Sequence, residues 1–306
     1  MKISVIMPLY NMEGKVERTL QHFVGQNTDD IEIIIVDDCS TDSTNKIVVS
    51  YIGVLPIKLI CLDNKVSVGR ARNIGIEHSL GEYLFFCDGD DLMFCDNVRN
   101  IINRMEEKDM PLSIAEYQEY DWEEDRVFER TKGIRWDIVR SGEIVNSGDY
   151  IFDIFQFTNI TCWNKIFNSS FIKSNKIKFP DTNYLEDFVF VYECLLKASK
   201  VLVAKEICYC YSVPSNARSS MLTTMDDSLE EYMNTLEIMN DILFDFFETK
   251  NRVEIENISK SAIYEYIRLI SFARKKSNGR WNSKLDEKAF NVIAKLQEKS
   301  RIKSIQ

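Results

Sequence analysis

The sequence predicts an α/β fold built around a doubly wound, mainly parallel β-sheet. Two observations predict it. Short apolar runs of strand length alternate with amphipathic runs of helix length through the first hundred residues. The apolar runs are also nearly continuous, which is typical of strands that helices cover on both faces. Repeated strand–helix pairs of this length imply right-handed crossovers and parallel strands.

Four strand–helix pairs make up this first part of the chain. The predicted strands span residues 3–7, 31–36, 57–62 and 83–87, and the predicted helices span residues 15–26, 41–52, 68–79 and 96–107. The second of these helices follows the sequence Ser40-Thr41-Asp42-Ser43, whose side chains are the preferred N-cap types. Each pair supplies one strand and one covering helix.

The rhythm changes after Pro111, where longer and less regular segments follow. We expect a strand at 112–120, a hairpin or meander at 121–136, a helix at 147–157, an irregular or strand-like segment at 161–167, a helix at 186–199 and a strand at 201–211. Lys205 and Glu206 interrupt the last strand. From residue 225 onward the pattern is only amphipathic helix. The predicted division is therefore 1–97, 98–222 and a helical extension at 223–306.

Composition excludes several classes of protein. The chain has 306 residues, with 38 Lys plus Arg against 48 Asp plus Glu, and its net charge of −10 argues against binding to a nucleic-acid duplex. No stretch approaches the 18 apolar residues that predict a membrane span. Eight cysteines without a CxxC pair predict buried free thiols in a reducing cytoplasm.

Polar side chains follow all four predicted strands of the first part. They are Pro8-Leu9-Tyr10-Asn11, Asp37-Asp38-Cys39-Ser40, Asp63-Asn64 and Asp88-Gly89-Asp90-Asp91. Ligands of open α/β sheets bind outside the carboxyl ends of the strands, so these groups are expected at one edge. Each acidic pair alone is equally typical of a strand exit or a helix start. Six aspartates without a basic residue among them indicate a binding site.

The acidic segment after the fourth strand predicts a bound cation. Three carboxylates within four residues repel one another unless a positive charge lies among them. No Lys or Arg occurs between Gly81 and Val98. A hard divalent ion such as Mg²⁺ or Mn²⁺ suits an all-oxygen site and keeps positions open for phosphate oxygens.

Two arginines at the start of the predicted helix 68–79 provide positive charges that complement the acidic segment. The forked guanidinium groups of Arg70 and Arg72 are suited to paired phosphate oxygens, although solvated ion pairs on a helix surface explain them equally well. Neither a GxGxxG fingerprint after the first strand nor a Walker GxxxxGK[ST] motif occurs in the sequence. Dinucleotide dehydrogenases and P-loop nucleotidases therefore lose their main support.

The ordered motifs resemble those of family 2 glycosyltransferases of the GT-A fold. They are Val5-Ile6-Met7-Pro8-Leu9-Tyr10-Asn11, Val36-Asp37-Asp38-Cys39-Ser40-Thr41-Asp42, Ala71-Arg72-Asn73-Ile74-Gly75 and Phe86-Cys87-Asp88-Gly89-Asp90-Asp91. The likeness continues more loosely through Trp163-Asn164-Lys165-Ile166-Phe167, Glu186-Asp187-Phe188-Val189-Phe190 and Tyr209-Cys210-Tyr211. It covers about residues 1–220 and leaves out the helical tail.

The resemblance implies a GT-A fold and assigns roles to the donor-side residues. Pro8, Tyr10 and Asp38 would line the nucleobase pocket, where the Asp38 carboxylate would accept from a uracil-like N–H. Arg72 would face the diphosphate or ribose. Asp88 would lie near the ribose and donor sugar.

The resemblance also implies the metal ligand and the general base. Asp90 would bind Mn²⁺ or Mg²⁺ as the last aspartate of the DxD motif, and Asp91 would be a helix cap or lie behind the site. Asp187 would take the proton of the acceptor hydroxyl. The alternative for Glu186 and Asp187 is that the two acids only stabilise the N-terminus of a helix.

Further residues join the expected substrate-binding set. Lys165 and Glu186 lie in the looser motifs. Many relatives carry an arginine directly after the Tyr-x-Tyr element, where this chain has Ser212. Arg218 is the residue expected to reach the diphosphate instead.

The activity that the resemblance implies is metal-dependent, inverting transfer of a hexosyl or N-acetylhexosaminyl group. A UDP-sugar is the expected donor, and a saccharide or lipid-linked saccharide is the expected acceptor. Two alternatives stay open: a non-catalytic binding subunit, and a sugar nucleotidyltransferase. The latter lacks its usual Gly-rich basic loop, because residues 10–15 contain one glycine and no arginine.

The sequence pattern of the helical tail favours packing against other protein surfaces over insertion into a membrane. Its apolar stripes at helical spacing are more typical of core or homodimer contacts than of an anchor. Arg274, Lys275 and Lys276, with Arg280 and Lys284, form a basic segment in an acidic protein. Peripheral contact with an anionic membrane at its cytoplasmic face is the remaining alternative.

Overall fold

A computed structural model describes residues 1–121, 126–128, 133–137, 139, 144–150, 153–213 and 229–303. Within those residues the strands are β1 Ile3–Leu9, β2 Ile31–Asp37, β3 Ile57–Cys61, β4 Tyr83–Phe86, β5 Leu92–Met93, β6 Leu112–Asp121, β7 Arg126–Val127, β8 Ile144–Asn146, β9 Lys165–Asn168 and β10 Lys200–Ser212. The helices are α1 Val16–Val24, α2 Thr44–Tyr51, α3 Val68–Glu77, α4 Cys95–Glu107, α5 Ser147–Tyr150, α6 Ile154–Phe157, α7 Ser169–Ser174, α8 Glu186–Lys197, α9 Leu229–Phe247, α10 Arg252–Lys276 and α11 Ser283–Lys303.

One mixed sheet runs through the molecule in the order β3-β2-β1-β4-β9-β6-β10-β5. The first four strands are parallel, and β1 is flanked by β2 and β4. This confirms the predicted parallel half, and each predicted strand is found to within two residues of its ends. The predicted strand 3–7 continues to Leu9 because Pro8 and Leu9 stay in register with Val36 and Asp37.

The second half of the sheet mixes directions. Strand β9 runs antiparallel to both β4 and β6, while β6 and β10 are parallel. The register of β10 shifts between Ala204 and Ile207, which confirms the interruption predicted at Lys205 and Glu206 as a bulge. Strand β7 pairs antiparallel with the C-terminal end of β6, as expected for a hairpin.

Two hydrophobic cores lie on opposite faces of the sheet because successive side chains of a strand point to opposite faces. Ile3, Val5 and Met7 of β1 pack into the core beneath α1 and α4. Ile6 instead joins the core that contains α8 and the last three helices. Both faces are therefore covered, which explains why the sequence of β1 shows no polar alternation.

The helical extension, defined as α9 to α11, shares its core with the sheet domain. Phe188 of α8 lies 6.1 Å from the ring of Tyr266 in α10, and both are fully buried. The hydroxyl of Tyr266 donates to Asn240 of α9, which ties the two long helices together. Most of the predicted α9 stripe and Tyr266 of α10 are thus core contacts, whereas Ile267 of the second stripe is 52% exposed. None of the described helices is long and apolar enough to cross a membrane.

Some predicted features take a different form. The helix expected at 41–52 begins only at Thr44, because Asp42 accepts hydrogen bonds from the Thr44 amide and hydroxyl and holds a turn before the helix. In the segment expected to be helical, 147–157, the described residues contain α5 and α6, and residues 151–152 lie outside the description. Strand β5 follows the acidic motif and was not predicted. Six of the eight cysteines are buried, as expected.

Candidate active site

The loops after β1 and β2 are joined at the edge of the sheet where the acidic motifs end. The Asn11 side-chain oxygen accepts from the Thr41 amide at 2.9 Å, and the Asn11 amide donates to Ser40 Oγ at 2.9 Å. Asn11 and Cys39 both have positive φ, at 51° and 62°. These tight turns bring the first two predicted motifs together, as the parallel topology requires.

The predicted nucleobase residues line one end of this edge. Pro8 is the penultimate paired residue of β1, and Tyr10 is 41% exposed with the Lys65 ammonium 3.0 Å from its ring centroid. The buried Asp38 accepts from the Val66 amide through Oδ1 at 2.7 Å. The fold therefore brings Pro8, Tyr10 and Asp38 together.

Cations from distant segments balance the acidic motif after β4. Lys15 Nζ lies 2.7 Å from Asp90 Oδ2, and Arg72 Nη2 lies 3.1 Å from Asp88 Oδ1. The Arg18 guanidinium donates to the backbone oxygen of Asp90 at 2.6 Å. The sequence predicted a divalent ion here because no Lys or Arg lies nearby in the chain, whereas the structure brings cations from distant segments; the metal ion stays a prediction. Helix α1 and the turn before it supply two of the charges.

Asp91 is a buried structural residue and not a helix cap. Its two oxygens accept from the Tyr209 hydroxyl and the Ser212 amide, each at 2.7 Å. Burial, with the charges of Asp90 and Asp88, raises the pKa of Asp91 well above its usual range. Tyr209 in turn accepts from the Asp88 amide. Asp91 thus fixes the end of β10 against the acidic loop.

Arg72 sits at the centre of a cluster of three acids, which we name the Arg72 cluster. Its Nη1 lies 2.7 Å from Glu186 Oε1 and 3.1 Å from Asp187 Oδ1, and its Nη2 reaches Asp88. Only 2% of Arg72 is exposed. The expectation that Arg72 faces the diphosphate or ribose is not met in this structure, because the three carboxylates draw the guanidinium inside the protein.

Close backbone packing builds the Arg72 cluster from segments far apart in sequence. A Cβ at Gly69 would come within 2.1 Å of the Pro180 carbonyl oxygen and 3.3 Å of Glu186 Cβ. Only glycine permits this approach of the α3 start to the α8 start. On the other side, Leu185 takes a left-handed conformation with φ of 58° and turns the chain into α8. Arg72 and Glu186 meet as a result.

Asp187 combines a fixed orientation with unused hydrogen-bonding capacity. Its Oδ2 accepts from the Cys162 amide at 3.1 Å. Its Oδ1 is buried beside Arg72 and accepts no hydrogen bond from the described residues. The side chain is 15% exposed, whereas that of Glu186 is 3% exposed. Of the two acids, Asp187 is therefore the one with an accessible surface, although its Oδ1 is itself buried and ion-paired with Arg72.

The other two acids of the cluster hold protons more tightly than usual. Burial, followed by the charge of Asp187, raises the pKa of Glu186 to about 7, although Arg72 opposes the shift. Burial also raises the pKa of Asp88, again against the opposing charge of Arg72. Groups with shifted pKa values concentrate at functional sites, which supports this cluster as the reactive centre.

Lys165 does not reach the cleft. It is fully buried in β9, and its ammonium donates to Asn159 O, Asn159 Oδ1, Thr161 O and Asn164 Oδ1 at 2.7–3.1 Å. Burial lowers its pKa to about 7. The expectation of a substrate ligand is not supported by this geometry, since every donor is directed at the loop beneath the site.

Arg18 takes the place expected for an arginine at position 212. Its Nη2 donates to Ser212 Oγ at 2.8 Å as well as to the Asp90 carbonyl. A guanidinium thus reaches the end of β10 from α1 and not from the strand itself. Arg218 lies outside the described residues. Lys15 and Arg18 were missed as site residues, although their i, i+3 spacing at a helix start could have signalled one shared face.

Aromatic side chains form the floor next to the acidic motif. Trp163 stacks on Tyr209 with ring centroids 4.6 Å apart, and on Tyr211 at 5.6 Å. Tyr117 meets the other edge of Trp163 at 4.6 Å. Stacked rings are rigid, so Tyr209 holds its hydroxyl firmly against Asp88 and Asp91.

The acidic pair Asp88 and Asp90 fits a divalent metal ion. Their side chains are 31% and 25% exposed, and each has one oxygen that bonds to none of the described residues. No preassembled group of three His, Cys, Asp or Glu ligands occurs in the described part of the chain. Two carboxylates with open positions suit Mg²⁺ or Mn²⁺, which take further oxygens from water or phosphate. The ammonium of Lys15 provides the positive charge beside Asp90.

Comparison with known proteins agrees with this architecture. The family model "Glycosyl transferase family 2" matches residues 4–173, more than half of the chain. The poly(ribitol-phosphate) β-N-acetylglucosaminyltransferase TarP of Staphylococcus aureus is 28% identical over 240 residues, which cover 77% of this chain and 70% of TarP.

Solved structures show the same fold. The S. aureus TarS 1–349 structure in complex with UDP-GlcNAc matches with a TM-score of 0.75 and 20% identity, covering all of this chain and 88% of that one. A mannosyltransferase from Pyrobaculum calidifontis, in complex with GDP-Man and Mn²⁺, matches with a TM-score of 0.55 and 13% identity over 99% of this chain and 87% of that one. The chain therefore belongs to glycosyl transferase family 2, and it is a glycosyltransferase with the GT-A fold and a C-terminal helical extension.

Proposed function

We propose that this protein transfers a sugar from a UDP-sugar to a hydroxyl group of a saccharide-type acceptor, with inversion at the anomeric carbon and with a divalent metal. The observation that supports it most is the Arg72 cluster, where one guanidinium holds acids from β4 and α8 together. Residues of the donor side and of the base are thereby fixed within one hydrogen-bonded unit.

The donor nucleotide belongs at the edge formed by Pro8, Tyr10 and Asp38. Asp38 uses Oδ1 for the Val66 amide, so Oδ2 is the atom proposed to accept a uracil N–H. The half-exposed ring of Tyr10 offers a flat surface to a base. TarS, whose fold is the same, has been solved with UDP-GlcNAc, which makes UDP-GlcNAc the first donor to test.

Asp90, with Asp88, is proposed to hold the metal ion. When bound, the metal neutralises the charge that develops on the departing diphosphate, so no second carboxylic acid is needed. The chain's own contribution is to orient the two carboxylates: Arg72 fixes Asp88, and Tyr209 supports the loop through the Asp88 amide. Lys15 contacts only Oδ2 of Asp90, so the other carboxylate oxygen would be open to the ion.

Asp187 is proposed as the general base. In a single in-line displacement, the acceptor oxygen bonds to the anomeric carbon, the bond from that carbon to the diphosphate breaks, and the base takes the hydroxyl proton. Asp187, whose side chain is 15% exposed, would take that proton, while the Arg72 guanidinium beside Oδ1 and the Cys162 amide on Oδ2 fix its orientation. One base acting once gives inversion of configuration.

Arg18 is proposed to assist the leaving diphosphate. Its guanidinium lies between the Asp90 carbonyl and Ser212, at the place where relatives carry an arginine after Tyr-x-Tyr. Arginine pairs with phosphate oxygens through its planar fork. Arg218, which lies outside the described residues, stays a prediction for the same role.

The acceptor is proposed to be a polyhydroxylated chain, either free, at the cell surface or linked to lipid. TarP is named for poly(ribitol-phosphate), a polymer rich in hydroxyl groups. We therefore propose saccharide and polyol-phosphate chains as the acceptor class for this chain.

The decisive experiment replaces the carboxylate of the proposed base with an amide of the same shape. Asp187→Asn should reduce transfer from UDP-GlcNAc to an acceptor panel by about 10²- to 10⁴-fold, the usual contribution of a general base. The shift in melting temperature on adding UDP with Mn²⁺ should stay as in the native chain, because Asp187 lies away from the nucleobase residues. Turnover and thermal shift are measured on the same preparations.

Asp245→Asn is the matched control, since Asp245 is an exposed acid of α9 outside the site. Full activity in the Asp187→Asn variant would contradict the assignment of the base. UDP binding without turnover of any donor by the native chain would favour the non-catalytic subunit, and pyrophosphate release from UTP would favour a nucleotidyltransferase.

A further inference from the structure

A large cavity lies between the helical extension and the segments that lead into the Arg72 cluster. Its volume is about 570 Å³, within the ~300–1,000 Å³ typical of ligand sites. Residues 155–160 and 184–185 form one wall, and α9 and α10 form the other. The donor-side residues described above do not belong to its lining.

One wall of the cavity is a stripe along α10. Tyr264, Arg268 and Phe272 stand four residues apart, so they lie on the same face of the helix. Tyr264 is 61% exposed and Phe272 is 40% exposed, although most of the apolar side chains of α9 and α10 are buried in the core. Exposed aromatic side chains beside a cavity are typical of a binding surface.

Polar groups are placed around these aromatic rings. Arg268 is held by Glu265, which accepts from its Nε at 2.8 Å and from its Nη2. Arg135 is held in the same way by Asp137, at 2.6–2.9 Å. A guanidinium that a carboxylate keeps in one orientation still has N–H groups to offer to hydroxyl oxygens. Each arginine is paired with an acid, so the cavity favours a ligand with many hydroxyl groups over a strong polyanion.

Two segments of the cavity wall lead directly into the proposed base and its hydrogen-bond partner. Leu185, which lines it, is two residues before Asp187. Ile160, on the same wall, is two residues before Cys162, whose amide donates to Asp187 Oδ2 at 3.1 Å. Asn159, also in the wall, accepts from the Lys165 ammonium that holds this loop in place. An acceptor with its hydroxyl at Asp187 would therefore extend into this space.

We propose that the cavity binds a sugar ring of the acceptor chain, one or more units away from the hydroxyl that reacts. The C–H face of the ring would rest on Tyr264 and Phe272, and its hydroxyl groups would bond to Arg268, Glu265 and Asn159. A lipid chain would leave these polar groups without partners, and a second protein copy would need a protruding surface. The proposal rests on the proposed function, because it assigns the ligand to the acceptor.

The test uses two oligosaccharide probes, chitotriose and maltotriose, without any nucleotide. Saturation-transfer NMR and calorimetry on the intact chain should detect binding of at least one of them. Tyr264→Ala and Phe272→Ala should each weaken that binding about tenfold, the loss of one stacked aromatic surface. Ile267→Ala is the matched control, because Ile267 is 52% exposed on the same helix and does not line the cavity. Its affinity should equal that of the native chain.

UDP binding, measured on the same samples, separates this proposal from the proposed function. The cavity assignment is overturned if neither probe binds the native chain, or if Ile267→Ala weakens binding as much as the two aromatic variants. It is also overturned if the aromatic variants change only the oligomeric state, or only pelleting with phosphatidylglycerol vesicles. In each of these cases normal UDP binding and turnover would leave the transferase proposal intact.

Discussion

Two buried cations lie on either side of the loop that carries Cys162, and they are stabilised in opposite ways. Arg72 is surrounded by the carboxylates of Asp88, Glu186 and Asp187. Lys165 is surrounded by uncharged carbonyl and amide oxygens. Acids around Arg72 favour its charged form, whereas desolvation without a paired acid brings the pKa of Lys165 down to about 7.

The difference distinguishes the buried cation that is proposed to support the reaction from the one that stabilises a loop. A guanidinium that orients several acids can fix a base and a metal ligand relative to each other, and it stays charged at any working pH. An ammonium bonded to neutral oxygens instead stabilises the fold of one loop. Replacing Arg72 should therefore have different consequences from replacing Lys165, and each replacement can be tested separately.

The largest effect is expected for Arg72→Met. Three buried or partly buried acids would lose the one partner they share among the described residues, and removing one member of a buried pair typically destabilises by about 3–5 kcal/mol. Transfer should fall below detection, because Asp187 and Asp88 would no longer be oriented. Urea unfolding and turnover with UDP-GlcNAc measure both effects.

The neighbouring exposed Arg70 provides the control. Arg70→Ala should change stability by no more than about 0.5 kcal/mol, as is usual for surface positions. Arg72→Lys should fail to restore transfer, since a single ammonium cannot reach three acids as a planar fork does. Native-like activity in Arg72→Lys would show that the cluster needs only a charge.

A second, intermediate effect is expected for Lys165 and depends on pH. Because its pKa falls from 10.5 to about 7 in the folded state, the unfolded chain binds the proton more tightly. Stability should therefore rise as pH increases from about 7 towards about 10. Lys165→Met should abolish this rise and should cost about 1–3 kcal/mol near neutral pH, since the oxygen acceptors lose their donor.

Urea unfolding of the native chain and of Lys165→Met at a series of pH values measures this pH dependence. The Lys176→Met variant, at an exposed position, should keep the native pH profile. An unchanged profile in Lys165→Met would mean that Lys165 does not titrate in this window. UDP binding should survive in Lys165→Met, because its ammonium is directed away from the donor edge.

The smallest effect is expected for Lys15, an exposed third cation in this comparison. Lys15→Ala removes the ammonium that lies 2.7 Å from Asp90 Oδ2. Exposed pairs are worth roughly 0.2–1 kcal/mol, so Mn²⁺ should bind a few-fold more tightly in the variant. Electron paramagnetic resonance titration of Mn²⁺ measures this without relying on turnover. Lys46→Ala, another exposed lysine, should bind Mn²⁺ like the native chain, and weaker binding in Lys15→Ala would show that Lys15 supports the site instead.

The sequence was sufficient to predict the first half of the fold and the edge that carries the site. Parallel strands covered on both faces need nearly continuous apolar runs, and runs of this kind define β1, β2 and β4. The acidic residues that follow these strands must then meet at one edge. The gathering of Pro8, Asp38 and Asp88 follows from local pattern and topology alone.

The partners of the charged side chains could be decided only by the tertiary structure. Arg72 is separated from Glu186 by 114 positions, and Arg18 from Ser212 by 194. Lys165 is a charged residue type, yet its side chain is fully buried in the fold. Residue type and periodicity determine which elements form, because they act over a few residues. Which acid a guanidinium meets depends on how distant elements pack, and a close approach such as that at Gly69 has no counterpart in local sequence.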